Sequence, residues 1–355
     1  MSVTAAITQR KFGITPLGEL ITEYTLVNAK GSKVKIINWG GVITEFWVHD
    51  KQGKLGDVVL GFETLEPYLH NRPFFGALVG RVGNRIANAA FVLDGITYKL
   101  AANNGTNNLH AGPEGFEKKI WSVIAFENES GPGLILELIS EDSDQGFPGN
   151  LSVKVIYQLT HDNEWITDFQ AVTDKATPVN LTQHSYFNLA GEGDILNHRL
   201  QIVADYFTPV NSAQIPLGEL APVANTVFDF RKPHLIGERI NCDDAQLNIG
   251  AGYDHHYVIN NDAYKTLTLA ARVEEDTSGR VLEMFTQEPG VQFYSGNSLD
   301  GSLTGKGKTY YPRTGFCLEP QHFPDSPNQP QFPSIILRPG AEYKTRTVFK
   351  FSLKT

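Results

Sequence analysis

The run Leu151-Ser-Val-Lys-Val-Ile-Tyr-Gln-Leu159 decides the fold class. Leu151, Val153, Val155, Tyr157 and Leu159 alternate with Ser152, Lys154 and Gln158. A period of two puts the apolar set on one face of an extended chain, the pattern of an antiparallel strand with one buried side. Leu267, Leu269, Ala271 and Val273 repeat it, as do Tyr343, Thr345, Thr347, Phe349 and Phe351. Between Phe91-Val92-Leu93 and Ile96-Thr97-Tyr98 sits Asp94-Gly95, a dipeptide suited to the positive φ values of a tight hairpin turn. Asp50-Lys51-Gln52-Gly53 reads as a slightly longer hairpin loop. Helical periodicity is scarce: Glu63 to His70 predicts a short helix that Pro67 enters early, and His234 to Ile240 a further turn. With 33 Gly and 19 Pro punctuating many short strands, the predicted class is all-β, a sandwich or barrel. No linker, low-complexity segment or repeat divides the chain, so residues 1–355 are expected to form a single domain.

Hydrophobic residues make up 41% of the 355 and charged residues 19%, enough apolar material for a large core and no signature of disorder. The net charge is −9, with Lys and Arg scattered, so the basic stripe that a nucleic-acid partner requires is missing. The opening MSVTAAITQRKFGITPLGEL has no apolar segment behind a basic start, and no apolar run reaches the ~18 residues of a membrane span. Cys242 and Cys317 stand far apart and read as reduced thiols. In that setting the sequons at Asn128, Asn150 and Asn180 carry no information. These features predict a cytoplasmic protein, monomer or homodimer, with no nucleic-acid or membrane partner.

Several familiar motifs fail on inspection. Gly76, Gly80 and Gly83 miss the G-x-G-x-x-G spacing, and GKGKT at Gly305 to Thr309 lacks the leading glycine of a P-loop. That segment reads instead as a mobile glycine–lysine loop. Asp254-His255-His256 invites a metal, but neighbours on a strand point to opposite faces and no H-E-x-x-H or paired-cysteine spacing supports one. Ser185 follows His184 without the G-x-S-x-G elbow of a hydrolase.

What remains is a set of polar groups inside segments that otherwise read as core strands or tight loops. They are Asn84-Arg85, His110 closing the turn-rich loop after Asn103, His184, Asp254, Gln292 and Glu319. Each also has an ordinary structural reading: a satisfied core histidine, a turn aspartate, a loop-anchoring arginine. Glu319 is the oddest, because Phe316-Cys317-Leu318 leads straight into it and Pro320 is expected to stop the strand there. Composition and spacing alone stop short of a reaction.

The segments that hold these groups go further. GRVGNRIANAAFVLDGITYKLAANNGTNNLHAG, VNLTQHSYFNLAG, YDHHYVI, GVQFYSGN and GFCLEPQHFPDSPNQP occur in this order between about Gly80 and Asn328. In them the chain resembles the aldose 1-epimerase (galactose mutarotase) family. The resemblance implies a large antiparallel β-sandwich, the galactose mutarotase-like supersandwich, with a sugar cleft on one face and neither cofactor nor metal. It implies that His184 is a general acid and Glu319 a general base. Asn84, Arg85, His110, Asp254 and Gln292 would hold sugar hydroxyls, and Ser185 and Tyr186 travel with His184. One departure is Pro320, where the family commonly has Thr; proline removes a backbone donor and fixes φ.

The implied reaction interconverts the α and β anomers of free aldohexoses such as galactose and glucose. Glu319 takes the proton of the anomeric hydroxyl while His184 protonates the ring oxygen. A hexose-6-phosphate 1-epimerase would need a cationic clamp, for which only Arg81 and Arg85 offer themselves. A carbohydrate-binding protein without turnover would have no need of a matched acid and base.

Overall fold

A computed structural model describes residues 6–70, 73–261 and 266–354. Three large antiparallel sheets carry the architecture. One has nine strands, in the order Ser122–Asn128, Gly131–Ser140, Leu151–Leu159, Glu164–Thr173, Tyr343–Leu353, Arg280–Thr286, Thr268–Glu274, Arg199–Ile202 and His234–Leu235. A second has six: Tyr186–Phe187, Phe316–Gln321, Gly290–Tyr294, Asp254–Ile259, Ala204–Thr208 and Ala221–Pro222. A third runs through five consecutive strands from Ala6–Ile14 to Leu55–Asp57.

Period-two alternation explains how they pack. Leu151, Val153, Val155, Tyr157 and Leu159 are all buried, as are Phe349 and Phe351 on their neighbour's neighbour. Across the sandwich they meet Phe316, Leu318, Val291, Phe293 and Tyr257 of the six-stranded sheet in one continuous core, which Leu26, Val34, Ile36 and Phe46 of the third sheet join. Phe187 lies 5.3 Å from Phe349, and Phe46 lies 4.6 Å from Phe351, ring centroid to ring centroid. Truncating such an aromatic to alanine costs about 3–5 kcal/mol, so a Phe349→Ala change is a direct way to break this layer.

The hairpin turns form as the sequence predicts. Leu93 pairs with Ile96 around Asp94 and Gly95, both at positive φ (50° and 78°), and His49 pairs with Leu55 around the Asp50 loop. The short helix spans Glu66–Leu69 with Pro67 in its first turn, and a 3-10 turn forms at Ile236–Glu238. A helix at Ala245–Gly250, whose N-terminal N–H groups bond to the Asp244 side chain, is too short for periodicity to reveal.

Three expectations are corrected. The alternation Leu267, Leu269, Ala271, Val273 is interrupted by a bulge between Leu269 and Ala271, which leaves Leu267 exposed outside the strand. GKGKT is an ordered hairpin rather than a mobile loop: Leu303–Gly305 pairs with Lys308–Tyr310, and Lys306 Nζ is tied to Asp57 at 2.6 Å. Pro320 does not end its strand, which continues to Gln321 with Val291 opposite the proline. Within this strand only Phe316 and Cys317 pair with Tyr186–Phe187, so at residue 320 the strand is free of that neighbour and the missing N–H removes no bond to it.

Candidate active site

The outer face of the six-stranded sheet is polar because the same alternation that buries Phe316 and Leu318 turns Cys317, Glu319 and Gln321 the other way. Register then aligns polar residues strand by strand. Glu319 stands opposite Gln292, Gln292 opposite His256, and His256 opposite Thr208. Asp254 lies two residues before His256 on the same face, whereas His255 turns to the other side against Phe228. The adjacent histidines therefore point to opposite faces of the strand, as alternation predicts.

Around this face, Asn84, Arg85, His110, His184, Tyr186, Asp254 and Glu319 line one cleft of ≈ 360 Å³, a size suited to a small molecule. Their supports are loops and short ladders. Thr182–His184 pairs with Ala77–Val79, which fixes His184 beside Phe74. Arg85 pairs with Leu109, and His110 N–H donates to the Asn84 carbonyl at 3.0 Å. The chain doubles back tightly there, with Asn84 and His110 both at positive φ (61° and 54°). From behind, Asp325 accepts the Ala87 N–H and donates its own N–H to the Arg85 carbonyl. The turn that follows Glu319 thus anchors the segment carrying Arg85.

Two predicted residues stand outside the cleft wall. Ser185 Oγ accepts from Gln183 Nε2 at 2.9 Å and is buried behind the histidine. Gln292 lies beneath Asp254 and donates to its Oδ1 at 2.7 Å, which aims the carboxylate. Among the cleft-lining residues that sequence reasoning did not single out are Phe74, Asn104, Gln214 and Tyr294. Gln214 is the most consequential. Arg85 donates to its Oε1 at 2.6 Å and Gln214 Nε2 donates to Asp254 Oδ2 at 2.7 Å, so it bridges cation and carboxylate. Nothing in NSAQIP marks it; the loop's position opposite Arg85 is purely tertiary. Asn104, which accepts from Arg85 Nε at 3.0 Å, sits in the turn-rich loop already flagged by its composition.

The centre of the cleft is a pair. His184 Nε2 lies 3.6 Å from Glu319 Oε2, and both residues are buried. Burial disfavours the charged form of each. It brings His184 down to about 4, and it pushes Glu319 well above the usual carboxyl range, helped by Asp254 and opposed by Arg85. His110 is also held neutral, by burial first and then by His184 and Arg85. A neutral imidazole facing a protonated carboxyl holds the same single proton as an imidazolium facing a carboxylate. The arrangement can therefore exchange one proton between two ends of a bound molecule without changing its total charge.

His110, His184 and Glu319 offer nitrogen and oxygen atoms within 4.8 Å of one another, which raises the question of a metal. The surroundings of His110 answer it. Its Nδ1 accepts the Asn84 N–H at 3.1 Å, so the neutral ring carries its proton on Nε2. Metal-bound histidines show the reverse, donating from the ring nitrogen that faces away. The donor set does not fit a metal, and His110 instead presents a hydrogen-bond donor to the cleft.

Comparison with known proteins gives a consistent picture. Residues 22–350 match the family described as Aldose 1-epimerase. The chain is 46% identical over 352 residues to a human galactose mutarotase, covering 98% of this chain and 99% of that protein. It is 39% identical over 343 residues to an aldose 1-epimerase of Escherichia coli, covering 95% and 97%. Among solved structures, a galactose 1-epimerase from Lactobacillus acidophilus superposes with a TM-score of 0.88 at 28% identity, covering 99% of this chain and all of the other.

Proposed function

The chain belongs to the aldose 1-epimerase family, and on that premise we propose that it interconverts the α and β anomers of free aldohexoses such as galactose and glucose, with Glu319 as general base and His184 as general acid. The observation that carries the residue assignment is the buried approach of His184 Nε2 to Glu319 Oε2 at 3.6 Å within the cleft.

Ring opening moves one proton off O1 and one onto O5. The Glu319 carboxylate takes the O1 proton, C1–O1 becomes a carbonyl, the C1–O5 bond breaks, and O5 receives the proton of His184 Nε2. Glu319 is then protonated and His184 neutral, the forms that burial favours for both. The site thus leans toward the proton arrangement of the open-chain aldehyde. Rotation about C1–C2 presents the other carbonyl face, and closure returns both protons along the same path. His110 donates through Nε2–H to a sugar oxygen, and Arg85 and Asp254 bind hydroxyls, positioned by Asn104, Gln214 and Gln292.

A phosphorylated sugar has less support. Arg81 spends its guanidinium on Ser140, Pro148, Thr177 and Glu141 in the interior, away from the cleft. Among the described residues, that leaves Arg85 as the single arginine of the cleft wall. We read the chain as a single aldose 1-epimerase domain acting on a free sugar. The unpaired thiols Cys242 and Cys317 support a reducing, cytoplasmic setting. Polarimetry on freshly dissolved α-D-galactose and α-D-glucose is the test: optical rotation should relax faster than in buffer alone. A rate equal to the buffer control, with sugar binding retained, would leave a binding protein instead.

A further inference from the structure

The two histidines of the cleft are held from behind by partners of opposite character. His110 Nδ1 receives a backbone N–H, which forces the ring's own proton onto Nε2. Behind His184 the atom at Nδ1 is instead the Sγ of Cys317, at 3.5 Å. Resting on the reading of His184 as the acid, we propose that Cys317 is a positioning residue: its sulphur accepts the Nδ1–H of His184 and holds the ring in the tautomer whose Nε2 exchanges the proton with the sugar.

A thiol can donate or accept, so the direction has to be argued. Glu319 Oε2 is fully enclosed, has no hydrogen-bond partner within the usual limits, and looks at His184 Nε2 across 3.6 Å. One proton held between these two atoms serves both, and this requires a lone pair on Nε2 of the neutral ring. The ring's own proton must then sit on Nδ1, toward sulphur. The catalytic cycle demands the same. Nε2 gives up its proton in ring opening and takes it back in closure, so Nδ1 must keep its proton throughout. The opposite tautomer would require the buried ring to flip or to pass a proton through a buried thiol in every turnover.

The strand's geometry makes the device economical. Cys317 and Glu319 are two residues apart on Phe316–Gln321, so one strand aims the base at the sugar and the sulphur at the acid. Tyr186, directly opposite Cys317 in the ladder, stacks on His184 with ring centroids 5.2 Å apart. Burial keeps the thiol protonated and uncharged. A carboxylate at this place would also align the ring, but it would stabilise the imidazolium, as in Ser-His-Asp enzymes. Neutral sulphur orients the ring without that bias, and His184 remains a ready proton donor. The same cleft therefore holds His110 as a fixed donor and His184 as a reversible acid.

Nitrogen-15 spectra of histidine-labelled wild-type protein near neutral pH read the tautomer directly, with His184 assigned through His184→Asn. The expected state is Nδ1 protonated and Nε2 bare; Nε2–H on His184 overturns the proposal. Cys317→Ala should lower kcat roughly tenfold at unchanged KM and mix the tautomers, since at most one net hydrogen bond is lost. Cys317→Ser, whose oxygen can accept the same N–H, should restore both. Unchanged kcat and tautomer in Cys317→Ala also overturn it. If His184→Asn turns over like wild type, the acid assignment fails, whereas the wild-type spectrum still decides the role of Cys317.

Discussion

His184 Nε2 and Glu319 Oε2 face each other at 3.6 Å with both side chains almost fully out of water. As the acid and base proposed above, the pair would work when it carries one proton in total. A second proton must go onto His184, which burial has brought down to about 4. The last proton leaves at a pH above the ordinary glutamate range, because burial raises Glu319. The profile of kcat/KM against pH should therefore have its acid limb near 4, well below the 6.5 of an unperturbed histidine. An acid limb at 6.5 in a mutarotation assay would sink this account of the pair.

Replacing either partner should remove its proton transfer and little else. Glu319→Gln and His184→Asn are each expected to lower kcat by about 10²–10⁴-fold with the fold retained. The double variant should be hardly worse than the worse single one, because the two groups act as a unit. Wild-type rates in both singles, by polarimetry, would remove the assignment.

Gln214 connects Arg85 to Asp254. Gln214→Ala leaves both charged groups less well aimed and removes two side-chain bonds, each worth about 0.5–1.5 kcal/mol net. Weaker sugar binding follows, with KM raised on the order of tenfold and kcat nearly unchanged. A variant with normal KM and low kcat would instead place Gln214 in the chemistry.

Chelation should have no effect. His110 offers the cleft an N–H rather than a lone pair, so the His110–His184–Glu319 group is not arranged as a metal site. Turnover after dialysis against EDTA should equal that of the untreated enzyme. Activity lost to EDTA and restored by zinc contradicts that reading.

Acid should destabilise the fold. His110, His184, His198, His255 and His256 are all shifted below 6.5 by burial. Between about pH 6.5 and 4.5 the unfolded chain binds protons at these five that the native state refuses, so stability falls as pH falls. Glu117, raised to about 7 by burial, and Glu319 and Asp325, also raised, act in the opposite sense. The histidines outnumber them, and each net proton contributes up to about 1.4 kcal/mol per pH unit. The urea midpoint should drop steadily across this window; a midpoint that climbs on acidification contradicts the balance.

Much of the site was legible without coordinates, for reasons that differ by residue. Glu319 was conspicuous as a carboxylate at the end of an apolar run, whereas His184 had an ordinary core reading and took its expected role from the family resemblance. Asp254 was separable from His255 by alternation alone. Ser185 and Gln292 travel with the right motifs, yet alternation and side-chain bonding put one behind the histidine and the other beneath the aspartate. Arg81, next door to Arg85 in sequence, spends its charge on interior carbonyls that no local pattern reveals. Gln214 could not be found at all, since a glutamine in a polar loop has no signature until the loop is placed.

The sequence by itself determined the strand class, the hairpin turns, the family and seven of the residues that line the cleft, because period, turn chemistry and motif order are local properties of the chain. Only the tertiary structure decided which strands are neighbours and in what register. Alternation says which face a residue takes but not which strand lies beside it, so the Glu319–Gln292–His256 row and the approach to His184 follow from pairings between distant segments. The proton positions depend on this too. An imidazole is ambiguous until its neighbours are fixed, and here a backbone N–H settles His110 while a sulphur atom meets His184.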